Sequence, residues 1–288
     1  MPAHWMPPLL NGLHSGQIVP CLGPGVLEGV TERDSGEPLP ADSDSLILAM
    51  NNGRALSPRL MYEFPRAAMH LEQRRGRAFV EAFLTRLYGE RQWTRAPLHD
   101  WLASHRPPYV IDLNRDTQLQ ESYADTPHLL VQGTAQIMEG DFRFRLFHFS
   151  GGDYRPVTQE EADWEQPVLF KPMGTPQPEP CYIASDADYV DYLTELMGGF
   201  AIPAPLKVYR HGLQYLFLGL RFNRDTERML VSDICRDGGN PLGWAVIPEP
   251  TNKERRFCRR QGIVLVEESQ ETLTGQLPAT LSTPATAG

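Results

Sequence analysis

The chain of 288 residues carries 27 Lys+Arg against 36 Asp+Glu, a formal net charge of −9, with 41% hydrophobic and 22% charged residues. Those proportions suit a globular chain that can bury a sizeable core and exclude a chain disordered throughout. Only Lys171, Lys207 and Lys253 are lysine. A negative, lysine-poor chain speaks against nucleic acid and anionic membrane surfaces as partners.

The longest strongly apolar run, near 215–220, falls far short of the ~20 residues that span a bilayer. The opening MPAHWMPPLL lacks a cationic segment followed by a long apolar stretch, so no secretory signal is expected. Cys21, Cys181, Cys235 and Cys258 are scattered without a CxxC pair. This predicts no zinc ribbon, no metal site, and a reduced, cytoplasmic setting.

In chain order, the first element is an apolar strand at 18–21, followed by an acidic loop over 27–45. A helix is predicted over 65–88, with Ala68, Leu71, Phe79, Phe83, Leu84 and Leu87 at helical spacing and Gly76 as a weak point. Strands follow at 109–113, 129–132 and 142–149. The last alternates strictly and suits an edge or a half-exposed hairpin strand. After a turn-rich stretch over 151–166 comes a strand at 168–171, then a helix over 186–197 that Ser185 caps. Strands at 215–220, 244–247 and 263–266 alternate with helices at 224–235 and 253–261. Continuous apolar strands interleaved with helices predict an open, mostly parallel, Rossmann-like α/β sheet covered on both faces. Beyond Glu268 the chain turns polar and low in complexity, which reads as a disordered tail over 268–288.

Four strand ends carry candidate chemistry. Ile18-Val19-Pro20-Cys21-Leu22-Gly23-Pro24-Gly25 places Gly-x-Gly after a strand, where an α/β sheet cradles phosphates. Gly-Pro-Gly is equally a tight turn, and Pro24 removes an N–H that a phosphate would use. Tyr109-Val110-Ile111-Asp112-Leu113-Asn114-Arg115-Asp116 runs into Asn-x-Asp. There Asn114 could orient a ribose hydroxyl or a water, while Asp116 could simply cap a helix. Val168-Leu169-Phe170-Lys171-Pro172-Met173-Gly174-Thr175 ends in a Gly turn, and Leu216-Phe217-Leu218-Gly219 leads to Asp225 at a helix start.

Taken in order, these motifs resemble the sirtuin-like domain family, and within it the divergent bacterial branch associated with NAD hydrolysis and defence. The resemblance runs from about Gly16 to Val266. Ile183-Ala184-Ser185-Asp186-Ala187-Asp188-Tyr189 is also similar to the family's Thr-x-x-x-Tyr helix. It implies one sirtuin-like α/β domain over 1–267, with a helical insertion at about 60–106 and a hairpin or loop insertion at about 140–166. It further implies a cleft for NAD or ADP-ribose formed by Gly23, Pro24, Gly25, Asn114, Gly174, Gly219 and Asp225. Asn114 and Asp116 would be the catalytic residues of an active member.

The departures fall on the chemistry. Pro24 replaces the family's Ala, apolar Val26 and Leu27 stand where a Ser is expected, and Met173 stands at the catalytic His. Leu220 and Arg221 follow the last Gly in place of Ser, and the four-Cys zinc module is missing. Methionine takes no proton near neutral pH, and losing a general base costs about 10²–10⁴-fold in rate. The only other His-Gly pair, His211-Gly212, precedes a strand and so belongs to the opposite end of the sheet. His14, His70, His99, His105, His128 and His148 have no motif around them.

Two arginine clusters remain, one with Arg74 and Arg75 and one with Arg255 and Arg256. Each reads as a solvated helix face or as a docking site for an acidic protein. Together these features predict a degenerate sirtuin-like protein that binds another protein as an accessory or regulatory factor of a bacterial enzyme system. Some bacterial relatives accompany specialised systems, nitrogenase among them, although no residue here points to that one. The alternatives are an active NAD⁺ hydrolase and a sensor that binds NAD or ADP-ribose without cleaving it.

Overall fold

The computed structural model describes residues 6–274. Nine strands form one sheet: β1 (Ile18–Leu22), β2 (Tyr109–Asp112), β3 (His128–Gly133), β4 (Phe144–Ser150), β5 (Asp153–Pro156), β6 (Val168–Lys171), β9 (Gln214–Leu218), β10 (Gly243–Val246) and β11 (Ile263–Val266). Two short strands, β7 (Gly174–Thr175) and β8 (Cys181–Tyr182), pair separately. The order across the large sheet is β11-β10-β9-β1-β2-β6-β3-β4-β5. Every pair from β11 to β3 is parallel, and β3–β4 and β4–β5 are antiparallel. The chain is thus an α/β protein with a mostly parallel sheet and an antiparallel hairpin at one edge. No described helix is long and apolar enough to cross a membrane.

The parallel strands read as unbroken apolar runs because both faces are covered. Val110, Leu130, Leu169, Leu216 and Leu218 pack on the first helices: α1 (Met6–His14), α2 (Ser43–Met50), α3 (Phe64–Arg75), α4 (Arg77–Thr85) and α5 (Pro97–His105). After the short α6 (Gln118–Ser122), the helices α7 (Asp186–Gly198), α8 (Ala204–Tyr209), α9 (Asp225–Ile234) and α10 (Asn252–Gln261) cover the other face, where Ile111, Phe170, Tyr215 and Phe217 point. Side chains alternate between these two cores at a period of two. The alternating segment 144–149 lies in β4, beside the edge strand β5, as its pattern predicts.

Two sequence readings need correction. The single helix expected over 65–88 is broken at Gly76, which takes φ +88° between α3 and α4. A left-handed break is inexpensive only for glycine. The expected tail begins too early at 268, because α11 (Glu271–Thr274) follows and Leu273 is fully buried. Residues 275–288 of that expectation lie outside the described residues. The expected cap is present: Ser185 forms a capping box with Asp188 at the start of α7.

Candidate functional site

The strand order reverses at β1, between β9 and β2, so the loops leaving these strands part at their C-terminal ends. A cavity of about 610 Å³ opens there. Its walls come from the loop after β1 (Pro24, Gly25, Glu28), from Leu113 and Arg115 after β2, from Met173 after β6, and from Gly219, Leu220 and Arg221 after β9. Glu63, Tyr189, Arg224 and Glu227 line it from the helices.

The Gly-Pro-Gly loop is closed against its own chain. Gly23 N donates to Leu218 O at 2.9 Å, Gly25 N to Gly219 O at 2.9 Å, and Val26 N to Gly23 O at 3.1 Å. A Cβ on Gly25 would come within 2.9 Å of Gly219 Cα, and one on Gly219 within 2.4 Å of Val26 N. The glycines therefore let the β1 and β9 loops touch, and these three amides are already committed to backbone carbonyls. Of the expected ligand-binding set, Pro24, Gly25 and Gly219 line the cavity and Gly23, Asn114, Gly174 and Asp225 do not. Gly174 is buried in the β7–β8 pair with φ +81°, where a Cβ would meet Cys181 O at 2.0 Å. Asp225 is exposed in the first turn of α9 and ion-pairs with Arg228.

Asn114 and Asp116 face away from the cavity. Asn114 Nδ2 donates to Gly23 O at 3.0 Å and to Asp112 Oδ1 at 2.9 Å, and the residue is 5% exposed. Asp116 is buried; its Oδ1 accepts from Gln118 N at 2.8 Å and its Oδ2 has no partner. Burial pushes its carboxyl above the usual carboxylate range, against the pull of Lys171. Alternation through 112–116 turns Asp112 and Asp116 towards His99 of α5 and Asn114 onto Gly23 O and Asp112, while Leu113 and Arg115 line the cleft. Sequence reasoning chose the Asn and the Asp and passed over the arginine between them, although that alternation was the available signal.

The cleft's cations are engaged. Arg115 donates twice to Ile183 O, at 2.6 and 3.1 Å, and lies over the Phe64 ring. Arg221 pairs with Glu254 at 2.8 Å, and Arg224 lies over Tyr62 and 3.9 Å from Asp44. Met173 is buried in the cleft wall and presents a thioether there. Glu227 is the cleft's perturbed acid: burial pushes its carboxyl up to about 7, and Oε2 has no partner.

The other expected residues lie elsewhere. Arg74 and Arg75 are exposed in the last turn of α3, with Arg75 over Phe79. Arg256 is exposed on α10, whereas Arg255 is held by Glu267. His211 is exposed just before β9, at the far end of the sheet from the cleft. His99, without a motif in the sequence, is fully buried on α5 beside Asp112 and Asp116, and burial pushes its imidazole down to about 4.

The family model for the SIR2-like domain matches residues 108–266, more than half of the chain. The match begins at β2 and ends with β11, so the Gly-Pro-Gly loop and α1–α5 precede it. No curated protein matches the chain.

Proposed function

On the premise that the chain belongs to the SIR2-like domain family, we propose that it is a non-cleaving member that acts by binding another protein as an accessory or regulatory factor. The observation that carries this reading is the orientation of Asn114 and Asp116. Both are buried outside the cavity lining, Asp116 beside His99 of α5, and the Asn114 amide is bonded to the chain itself. A catalytic side chain must come within about 3 Å of the reacting group, directly or through one water. Two further features support the reading. Met173 offers no base, and the amides of Gly23, Gly25 and Val26 in the loop after β1 donate to the backbone carbonyls of Leu218, Gly219 and Gly23, away from any phosphate.

The test is incubation of the full-length protein with NAD⁺. Nicotinamide release should stay at the buffer background, and Asn114→Ala should leave it there. Release above background that Asn114→Ala abolishes would establish the hydrolase instead. A thermal shift with NAD⁺ or ADP-ribose and no release would establish the sensor. The binding arm is capture of tagged protein from native extract. Charge reversal at Arg74 and Arg75, or at Arg255 and Arg256, should release the partner, and retention by both variants would remove those clusters from the interface.

A further inference from the structure

Behind the cleft, between α5 and the end of β2, lies a second set of groups that the proposed function does not use. His99 is 0% exposed, and neither Nδ1 nor Nε2 has a hydrogen-bond partner. Asp116 Oδ2 beside it is also buried and unpartnered. One nitrogen of His99 and one carboxylate oxygen each of Asp112 and Asp116 all lie within 4.8 Å of one another. A sealed polar atom left without a partner costs about 1–3 kcal/mol, more where it is charged. A fold that places several such atoms around one point is arranged for something to sit between them.

The charges say what that is. Lys171 Nζ donates to Asp112 Oδ2 at 2.6 Å, and both side chains are fully buried. That cation answers Asp112. Among the described residues no ion pair reaches Asp116, so the site holds two carboxylates against one ammonium. A neutral imidazole with two carboxylates is a donor set for divalent first-row ions such as Zn²⁺, Mn²⁺ or Fe²⁺. Ligand atoms about 2.0–2.2 Å from one tetrahedral ion stand roughly 3.3–3.6 Å apart, so the present spacing, within 4.8 Å, needs to close by at most about 1.5 Å. Asp112 Oδ1 already accepts from both the backbone and the side-chain amide of Asn114, so Asp112 joins through Oδ2, which has a second lone pair beyond the one taken by Lys171.

We propose that His99, Asp112 and Asp116 bind one divalent first-row metal ion in a buried site that ties α5 to the end of β2. Lys171 and Asn114 are its outer partners, fixing the Asp112 carboxylate from both sides. The site faces away from the cleft and is independent of whether the protein cleaves NAD⁺. Its three ligands come from a helix and from the five residues 112–116 at and just after the end of β2, which is why no compact sequence spacing announces it.

The experiment uses tag-free, full-length protein, analysed for metal as purified, then stripped with chelator and titrated with Zn²⁺ and with Mn²⁺ by calorimetry. About one equivalent should bind, with a rise in Tm on loading. His99→Ala and Asp116→Asn should each lose at least 100-fold in affinity. Co²⁺ loading gives a second readout: its visible absorption should report nitrogen and oxygen ligation and change in the conservative His99→Gln variant. The proposal is overturned if neither ion binds. It is equally overturned if binding is unchanged in all three variants, which would place the ion on surface groups.

Discussion

Lys171 and Asp112 form a fully buried ion pair at 2.6 Å between the adjacent parallel strands β6 and β2. Both come from the ends of strands that otherwise present only apolar side chains. Asp112 is held on its other oxygen by the backbone and side-chain amides of Asn114, so the pair is embedded in hydrogen bonds.

Removing one partner of such a pair strands a buried charge. Lys171→Met is expected to destabilise the fold by about 3–5 kcal/mol in denaturant unfolding. The double variant Lys171→Met with Asp112→Asn removes both charges and keeps an acceptor for Asn114. It should recover at least half of that loss. A double variant no more stable than Lys171→Met would show that the charge pairing is not what matters at this position.

Gly219 makes the contact between the two loops at the mouth of the cleft. Its φ of +67° and a Cβ position 2.4 Å from Val26 N both oppose a side chain. Gly219→Ala should cost about 2–4 kcal/mol, from left-handed strain together with overpacking against backbone. Gly212 supplies the comparison, because it has φ +75° with nothing within 4 Å of a Cβ. Gly212→Ala should cost about 1 kcal/mol. Equal costs at the two positions would mean that the loop contact contributes nothing.

The cleft also has a pH signature. The Glu227 carboxyl, held up at about 7 by burial, keeps its proton in the folded chain where an unfolded glutamate, near 4.5, has lost it. Its contribution to stability is therefore complete below about pH 4.5 and is lost as pH rises to about 7. Glu227→Gln stays neutral throughout. Its advantage over the parent should grow between pH 4.5 and 7 and then level off at about 1–3 kcal/mol. A difference between the two unfolding curves that does not vary with pH would contradict this assignment.

What could be read from the sequence depended on how local the cause was. Strands β1, β2 and β6 were legible because burial on both faces demands uninterrupted apolar runs, and β4 because one side of it alternates. Ser185 was legible as a cap from its immediate neighbours. The site was less so. What Asp116 meets depends on where α5 packs, and α5 is positioned by contacts up to the C-terminal α11, which no local pattern encodes. His99 shows the same limit, since its importance lies in meeting Asp112 and Asp116 across the fold. The glycines of the β1 loop were found, but their reason was hidden: they make room for the β9 loop.

The segment after β11 tests that long-range dependence directly. Its composition is that of a polar tail, yet Leu273 is fully buried and α11 packs on α5. Gln270 Nε2 also donates to Gly25 O at 2.5 Å, so the segment crosses the loop at the cleft's edge. Leu273→Ala is expected to cost about 2–4 kcal/mol, the range for a leucine truncated in a packed core. Because α11 packs on the helix that carries His99 beside Asp116, the variant should also speed amide hydrogen exchange over 97–105 more than over 225–234. A stability loss below about 0.5 kcal/mol with unchanged exchange in α5 would show that the segment is the loose tail its composition suggests.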